Sequence, residues 1–211
     1  MGRRLLGCRR ASGDVRRVLA KWWRSPALGL AAAALYAVGA FAQGASLAER
    51  ITTCGACHGE DGNSPMENIP SLAGQPEFFV LNQLFLMREG VRRVEVMTPF
   101  VKGLTDDDLN ALANHFNKLE PKRSAEPIDP ELVKRGSEVA SQRRCGSCHL
   151  PTLAGQDQMP RLAKQRIDFM ISSMKMYRDN PHPGADTAMS ANVAGLPDAD
   201  LVALAHFAAS K

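Results

Sequence analysis

Two stretches of this 211-residue chain carry the same arrangement of reactive side chains: Cys54-Gly55-Ala56-Cys57-His58 and Cys145-Gly146-Ser147-Cys148-His149. In each, two thiols stand one helical turn apart and an imidazole follows directly. This suits covalent attachment of a porphyrin, with thioether bonds to two vinyl groups along one edge and a histidine nitrogen on the iron. Thiol pairs at this spacing also serve as redox dithiols or in zinc sites. Those readings leave unexplained why a histidine follows each pair and why a methionine recurs with it. The expectation is two covalent haem c groups with their iron. Cys54, Cys57, Cys145 and Cys148 would hold them, with His58 and His149 as axial ligands.

The second axial ligand is expected to be a methionine, whose soft thioether favours ferrous iron and raises the potential. Met97 lies 39 residues after His58 and Met189 lies 40 after His149, each shortly before an Asp-rich helix start. Only these two methionines correspond between the halves. Met87, Met170 and Met174 have helical surroundings and read as core packing. Met159 adjoins Pro160 on the histidine side. His182, between prolines, reads as a surface-loop residue, His115 and His206 as helix-surface or packing residues, and Tyr177 as packing or a propionate partner.

The elements that must position these groups repeat too. Leu72-Ala73-Gly74-Gln75 returns as Leu162-Ala163-Lys164-Gln165, Pro70 as Pro160, and Leu104-Thr105-Asp106 as Leu196-Pro197-Asp198. A repeat of about 90 residues is longer than a solenoid unit and reads as a duplicated domain. The polar stretch 120–127, with two prolines, marks the expected boundary, giving domains 43–121 and 122–211. Helical spacing outweighs strand signals throughout. In the first half it predicts an amphipathic turn over 46–57, a helix over 76–89 stopped by Gly90, and a helix capped by Thr105. That last helix carries Asp106, Asp107 and Asp108 in its first turn and a Leu109, Leu112, Ala113, Phe116 stripe. The second half repeats this over 129–144, 164–178 and 197–209. The fold class is therefore all-α, with about three main helices per half around one haem.

Residues 1–42 read as an export leader, with an Arg-rich start, an apolar run over 27–41 and Ala40-Phe41-Ala42 as cleavage site, so cleavage is expected after Ala42. A fifteen-residue helix spans about 22 Å, short of the ~30 Å hydrocarbon core, so a retained anchor is the weaker reading. Arg16-Arg17-Val18-Leu19 is a weak match to a twin-arginine signal, and Cys8 reads as an ordinary leader residue. The chain carries a formal charge of +4, but eight of its basic residues lie in the leader; the remainder has 18 basic and 21 acidic side chains, which removes the support for nucleic acid as a partner. Residues 43–121 carry a net −5 and residues 122–211 a net +2. This predicts a dipolar molecule whose ends dock different partners, set against the plainer reading of ordinary solvated faces.

With these residues, the chain resembles the dihaem cytochromes c of the cytochrome c4 type, built from two class I cytochrome c domains. The first half carries the likeness in Cys57-His58-Gly59, Asp61-Gly62-Asn63-Ser64, Pro70, Leu72-Ala73-Gly74-Gln75, Gln83-Leu84, Met97 and Leu104-Thr105-Asp106. The second half departs from it: Leu150-Pro151 replaces Gly59-Glu60, no Asp-Gly-Asn-Ser follows, Lys164 replaces a glycine, and Asn180-Pro181-His182-Pro183-Gly184 interrupts the approach to Met189. These departures bear on the loop geometry and potential of the second haem, not on its attachment. The resemblance implies that Pro70 and Pro160 offer carbonyls to the proximal imidazoles. It also implies a periplasmic carrier of single electrons, not an enzyme, between a quinol-oxidising complex and a terminal oxidase in a respiratory chain. Membrane association would enter only through partners or an uncleaved leader. Two alternatives stand beside it: a dihaem peroxidase, which needs an open iron position, and an anchored electron-transfer subunit of an oxidase or dehydrogenase.

Overall fold

The computed structural model describes residues 45–211, and Ala45–Lys211 forms one compact unit. The leader, Cys8 and the cleavage position lie outside the described residues. Among the described residues the structure is helical, with no strand beyond an isolated antiparallel bridge between Gln156 and Met159.

In the first half, α1 spans Leu47–His58, α2 Glu77–Arg88, α3 Thr98–Val101 and α4 Asp106–Asn117. Ser46 begins α1 with a capping box: its hydroxyl accepts the Glu49 N–H and the Glu49 carboxylate accepts the Ser46 N–H. Thr105 and Asp108 repeat the device at α4, so the expected cap is also a reciprocal box. Leu109, Leu112, Ala113 and Phe116 lie on one buried face of α4, at the spacing an amphipathic helix requires. Leu109, Leu112 and Phe116 form a core with Val101 and Leu104, against which Ile51 and Cys54 of α1 and Leu81, Leu84 and Met87 of α2 pack.

In the second half, α5 spans Pro130–Gln142, α6 Gly146–His149, α7 Ile167–Asp179, α8 Thr187–Val193 and α9 Asp198–Ala209. The helix expected over 129–144 is α5, which stops at Gln142, and α6 beyond it was not anticipated. The chain leaves α5 through a Schellman turn, in which the Cys145 N–H donates to the Ala140 carbonyl at 3.0 Å and the Arg144 N–H to Ser141 at 3.1 Å. Arg144 takes the left-handed conformation, φ 56°, usually given to glycine. Periodicity also missed α3 and α8, because a helix of one or two turns has too few residues to show a stripe. Each lies in the segment that carries a methionine, Met97 or Met189.

One device brackets each of those segments. Arg88 at the end of α2 donates to the Leu104 carbonyl (3.2 Å) and pairs with Asp106 (2.7 Å), closing the chain around α3. Arg178 does the same around α8, to the Leu196 carbonyl (2.7 Å) and Asp198 (2.8 Å). The aspartates are exposed, so the ion pairs contribute little. The carbonyl bonds give the geometry.

α5 and α9 approach closely at buried Gly136, where an added methyl would overlap the Ala203 carbonyl. Alanine gains about 1 kcal/mol of helix propensity over glycine, while overpacking costs about 1–3 kcal/mol. Gly136→Ala is therefore expected to lower the thermal midpoint, and an unchanged or raised midpoint would contradict this packing.

Candidate functional site

Each site begins where a helix ends on histidine. Capping of α1 carries the chain through Cys54, Cys57 and His58 in continuous helix, and Gly59 then leaves it at φ 86°. A methyl on Gly59 would overlap the Asn63 carbonyl, so only glycine turns the chain here. The Gly62 carbonyl accepts from Leu72 N–H (2.7 Å) and Ala73 N–H (2.9 Å), drawing the later loop back over the histidine. Ser64 Oγ donates to the Cys57 carbonyl, and Ser64 N–H donates to Ser71 Oγ. Asn63 bridges Glu120 O and Lys122 N–H, and Lys122 pairs with Asp61. The Asp61-Gly62-Asn63-Ser64 run thus fastens the proximal loop to the helix end and to the following linker.

The second half reaches the same closing bonds with other residues. Leu150 (φ 68°), Leu153 (φ 57°) and Lys164 (φ 60°) stand where the first half has Gly59, Gly62 and Gly74 (φ 63°). The Leu153 carbonyl accepts from Leu162 N–H (2.8 Å) and Ala163 N–H (3.0 Å), as Gly62 does for its own loop. The departures in sequence, with one residue fewer between histidine and proline, therefore change the strain and the middle of the loop but not the bonds that close it.

This loop places a proline carbonyl over each buried imidazole. His58 Nδ1 lies 2.8 Å from Pro70 O and His149 Nδ1 lies 2.9 Å from Pro160 O. A carbonyl only accepts, so Nδ1 carries the proton and Nε2 keeps its lone pair, the form a metal requires. Burial pushes both imidazoles below their usual range and so favours the neutral form, against the opposing pull of the proline carbonyl. None of the four cysteines is in a disulfide. Burial pushes the Cys54 and Cys145 thiols up, opposite to the depressed value of a reactive redox dithiol. Cys54 and Met97 pack against one core cluster, Cys145 and Met189 against its counterpart. Thiol and thioether therefore share a core in each half.

These donors fit haem c: paired thiols, an imidazole with Nε2 available, and a thioether in the same half. Buried cations add to the fit. Arg161 is 4 % exposed and reaches only carbonyls, of Ala73 and Ala163; its Nη2 has no partner, and burial pulls its guanidinium down to about 10. Arg92 binds Gln83 at 2.5 Å while its Nε is buried without a partner. A group bearing carboxylates, as haem does, suits such donors. Of the other candidates, His206 Nδ1 accepts the Asp129 N–H that leads into α5, His182 Nδ1 lies 2.8 Å from the adjacent Pro183 carbonyl, and Tyr177 packs against the second-half core.

Side chains the sequence reading left without a role join the two loops. Gln165 Oε1 accepts the Ser71 N–H at 2.8 Å and its Nε2 donates to the Ser71 carbonyl at 2.9 Å. Gln75 makes the same pair of bonds to Arg161, both at 3.0 Å. The return of Gln75 as Gln165 in the repeat was the available signal.

The family model described as cytochrome c oxidase, cbb3-type, subunit III matches residues 39–115, and the model described as cytochrome c matches residues 133–210. Cytochrome c4 of Pseudomonas aeruginosa is 34% identical over 169 residues, covering 75% of this chain and 83% of that protein. A thiosulfate dehydrogenase electron acceptor of Thiomonas intermedia is 29% identical over 170 residues, covering 75% and 78%. The crystal structure of reduced cytochrome c4 from Pseudomonas stutzeri superposes with a TM-score of 0.71 at 30% identity, over 80% of this chain and 99% of that one.

The two turns should respond oppositely to substitution. Gly59→Ala meets the Asn63 carbonyl and is expected to cost about 3 kcal/mol. Lys164→Gly relieves a left-handed residue and is expected to stabilise by up to about 1 kcal/mol. Denaturant titration reads both, and effects of the same sign would contradict the strain assigned to these turns.

Proposed function

This chain belongs to the cytochrome c4 family of dihaem electron carriers, with covalent haem c as cofactor, and we propose that it carries single electrons in the periplasm from a quinol-oxidising complex to a terminal oxidase. Two haem-binding domains, 43–121 and 122–211, divide the work. Cys54 and Cys57 hold one haem with His58 and Met97 on its iron; Cys145 and Cys148 hold the other with His149 and Met189. Bound haem supplies one-electron chemistry at its iron. The protein keeps each imidazole neutral and oriented, places a thioether in the same core, and so leaves no coordination position for a substrate. The single observation that carries this reading is the pair of Nδ1-to-proline bonds, which leave both Nε2 atoms available to metal. Among the described residues no helix is long and apolar enough to cross a membrane.

A second reading of the donor comes from the Thiomonas intermedia relative, named as a thiosulfate dehydrogenase electron acceptor. There the electrons would come from a sulfur-oxidising enzyme, with the same sites at work. The charge difference between the domains would orient either encounter.

Potentiometric titration tests the ligands. A second imidazole in place of the thioether lowers the potential of its own haem. Met97→His is expected to lower one of two one-electron waves, and Met189→His the other. Variants that leave both waves in place, or a wild-type protein that turns over peroxide, would overturn the assignment. Reduction by isolated quinol-oxidising complex and by thiosulfate dehydrogenase, each at two ionic strengths, separates the donors.

A further inference from the structure

The peptide that orients each proximal histidine is held by the other half of the molecule. In the Pro70–Ser71 peptide the carbonyl accepts from His58 Nδ1 at 2.8 Å and the N–H donates to Gln165 Oε1 at 2.8 Å. In the Pro160–Arg161 peptide the carbonyl accepts from His149 Nδ1 at 2.9 Å and the N–H donates to Gln75 Oε1 at 3.0 Å. Each glutamine amide nitrogen closes the clamp on the next carbonyl, of Ser71 or of Arg161. Ser71, Arg161, Gln75 and Gln165 are all between 2 and 4 % exposed, so water does not compete for these bonds. Glutamines and gripped residues are each 90 positions apart, which makes the exchange reciprocal.

We propose that Gln75 and Gln165 are positioning residues that set, across the contact between the halves, the electron affinity of the haem bound by the opposite half. An amide that donates through its N–H becomes a stronger acceptor at its carbonyl, because linked hydrogen bonds polarise one another in a dry interior. Gln165 thereby strengthens the Pro70 carbonyl as acceptor for His58 Nδ1–H, and Gln75 does so for Pro160 and His149. A stronger bond at Nδ1 makes the imidazole more basic at Nε2 and favours the ferric iron. The effect is crossed: the glutamine of one half lowers the potential in the other. A clamp that holds each histidine's peptide from the opposite half also means that separating the halves would loosen both sites together.

The proposal rests on His58 and His149 as axial ligands, and the wild-type holoprotein checks that first by showing two low-spin haems. Gln165→Met and Gln75→Met keep side-chain length and remove the amide. The expected result is an upward shift of the potential at the His58 haem in Gln165→Met and at the His149 haem in Gln75→Met, the other wave staying in place. In the reduced protein, NMR is expected to show an upfield shift of the Nδ1–H resonance of the corresponding histidine alone, which a merely structural role would not produce. Gln165→Asn and Gln75→Asn keep a buried amide one methylene short, and carry the test if the methionine variants do not fold. Equal shifts of both waves, shifts confined to the variant's own half, or no shift with two low-spin haems intact would each overturn it. Loss of low-spin ligation in the wild type would instead refute the ligand assignment.

Discussion

The hydrogen bond between a buried histidine and a proline carbonyl is the constraint around which each half is built. It is short, 2.8 Å in one half and 2.9 Å in the other, and permits only the tautomer whose Nε2 can bind metal. Everything nearby serves to bring that carbonyl into place. The helix end delivers the imidazole, the left-handed turn reverses the chain, and the paired bonds from Leu72 and Ala73, or Leu162 and Ala163, draw the proline back over the ring. The cofactor brings its own chemistry. The polypeptide contributes orientation, dryness and a fixed proton.

The two halves reach this arrangement by unequal routes. The first places glycines at three of its left-handed turns, Gly59, Gly62 and Gly74. The second places Leu150, Leu153 and Lys164 in the same positive-φ region, each at a conformational cost of about 1–2 kcal/mol. Something in the second half must offset that cost. It has two core clusters where the first has one, and α5 lies along α9 with Gly136 against the Ala203 backbone. The half with the tighter helix contact tolerates the more strained loop.

Much of this could be read from the residues alone, and the reasons are local. The Thr105 cap, the acidic first turn and the Leu109, Leu112, Phe116 face lie within one helix, so spacing reveals them. The duplicated Cys-x-x-Cys-His runs and the recurring methionines supplied the proposed donor atoms. The left-handed turn at Arg144, and the short helix α6 that follows it, were hidden because an arginine occupies a position where glycine would have announced a turn. Helices α3 and α8 were too short to leave a periodic signal. The glutamine clamp was out of reach for another reason. Its partners, Ser71 with Gln165 and Arg161 with Gln75, lie 94 and 86 residues apart, and no local pattern says which buried amide meets which peptide.

The central claim is that each iron sits between an imidazole nitrogen and a thioether sulfur of its own half. Proton NMR of the fully reduced, diamagnetic protein tests it most directly, since a methionine methyl held over a porphyrin face is shifted far upfield by the ring current. Two such three-proton signals per chain, unchanged on adding carbon monoxide, are the expected result. One signal or none, or a signal that carbon monoxide removes at once, would contradict it.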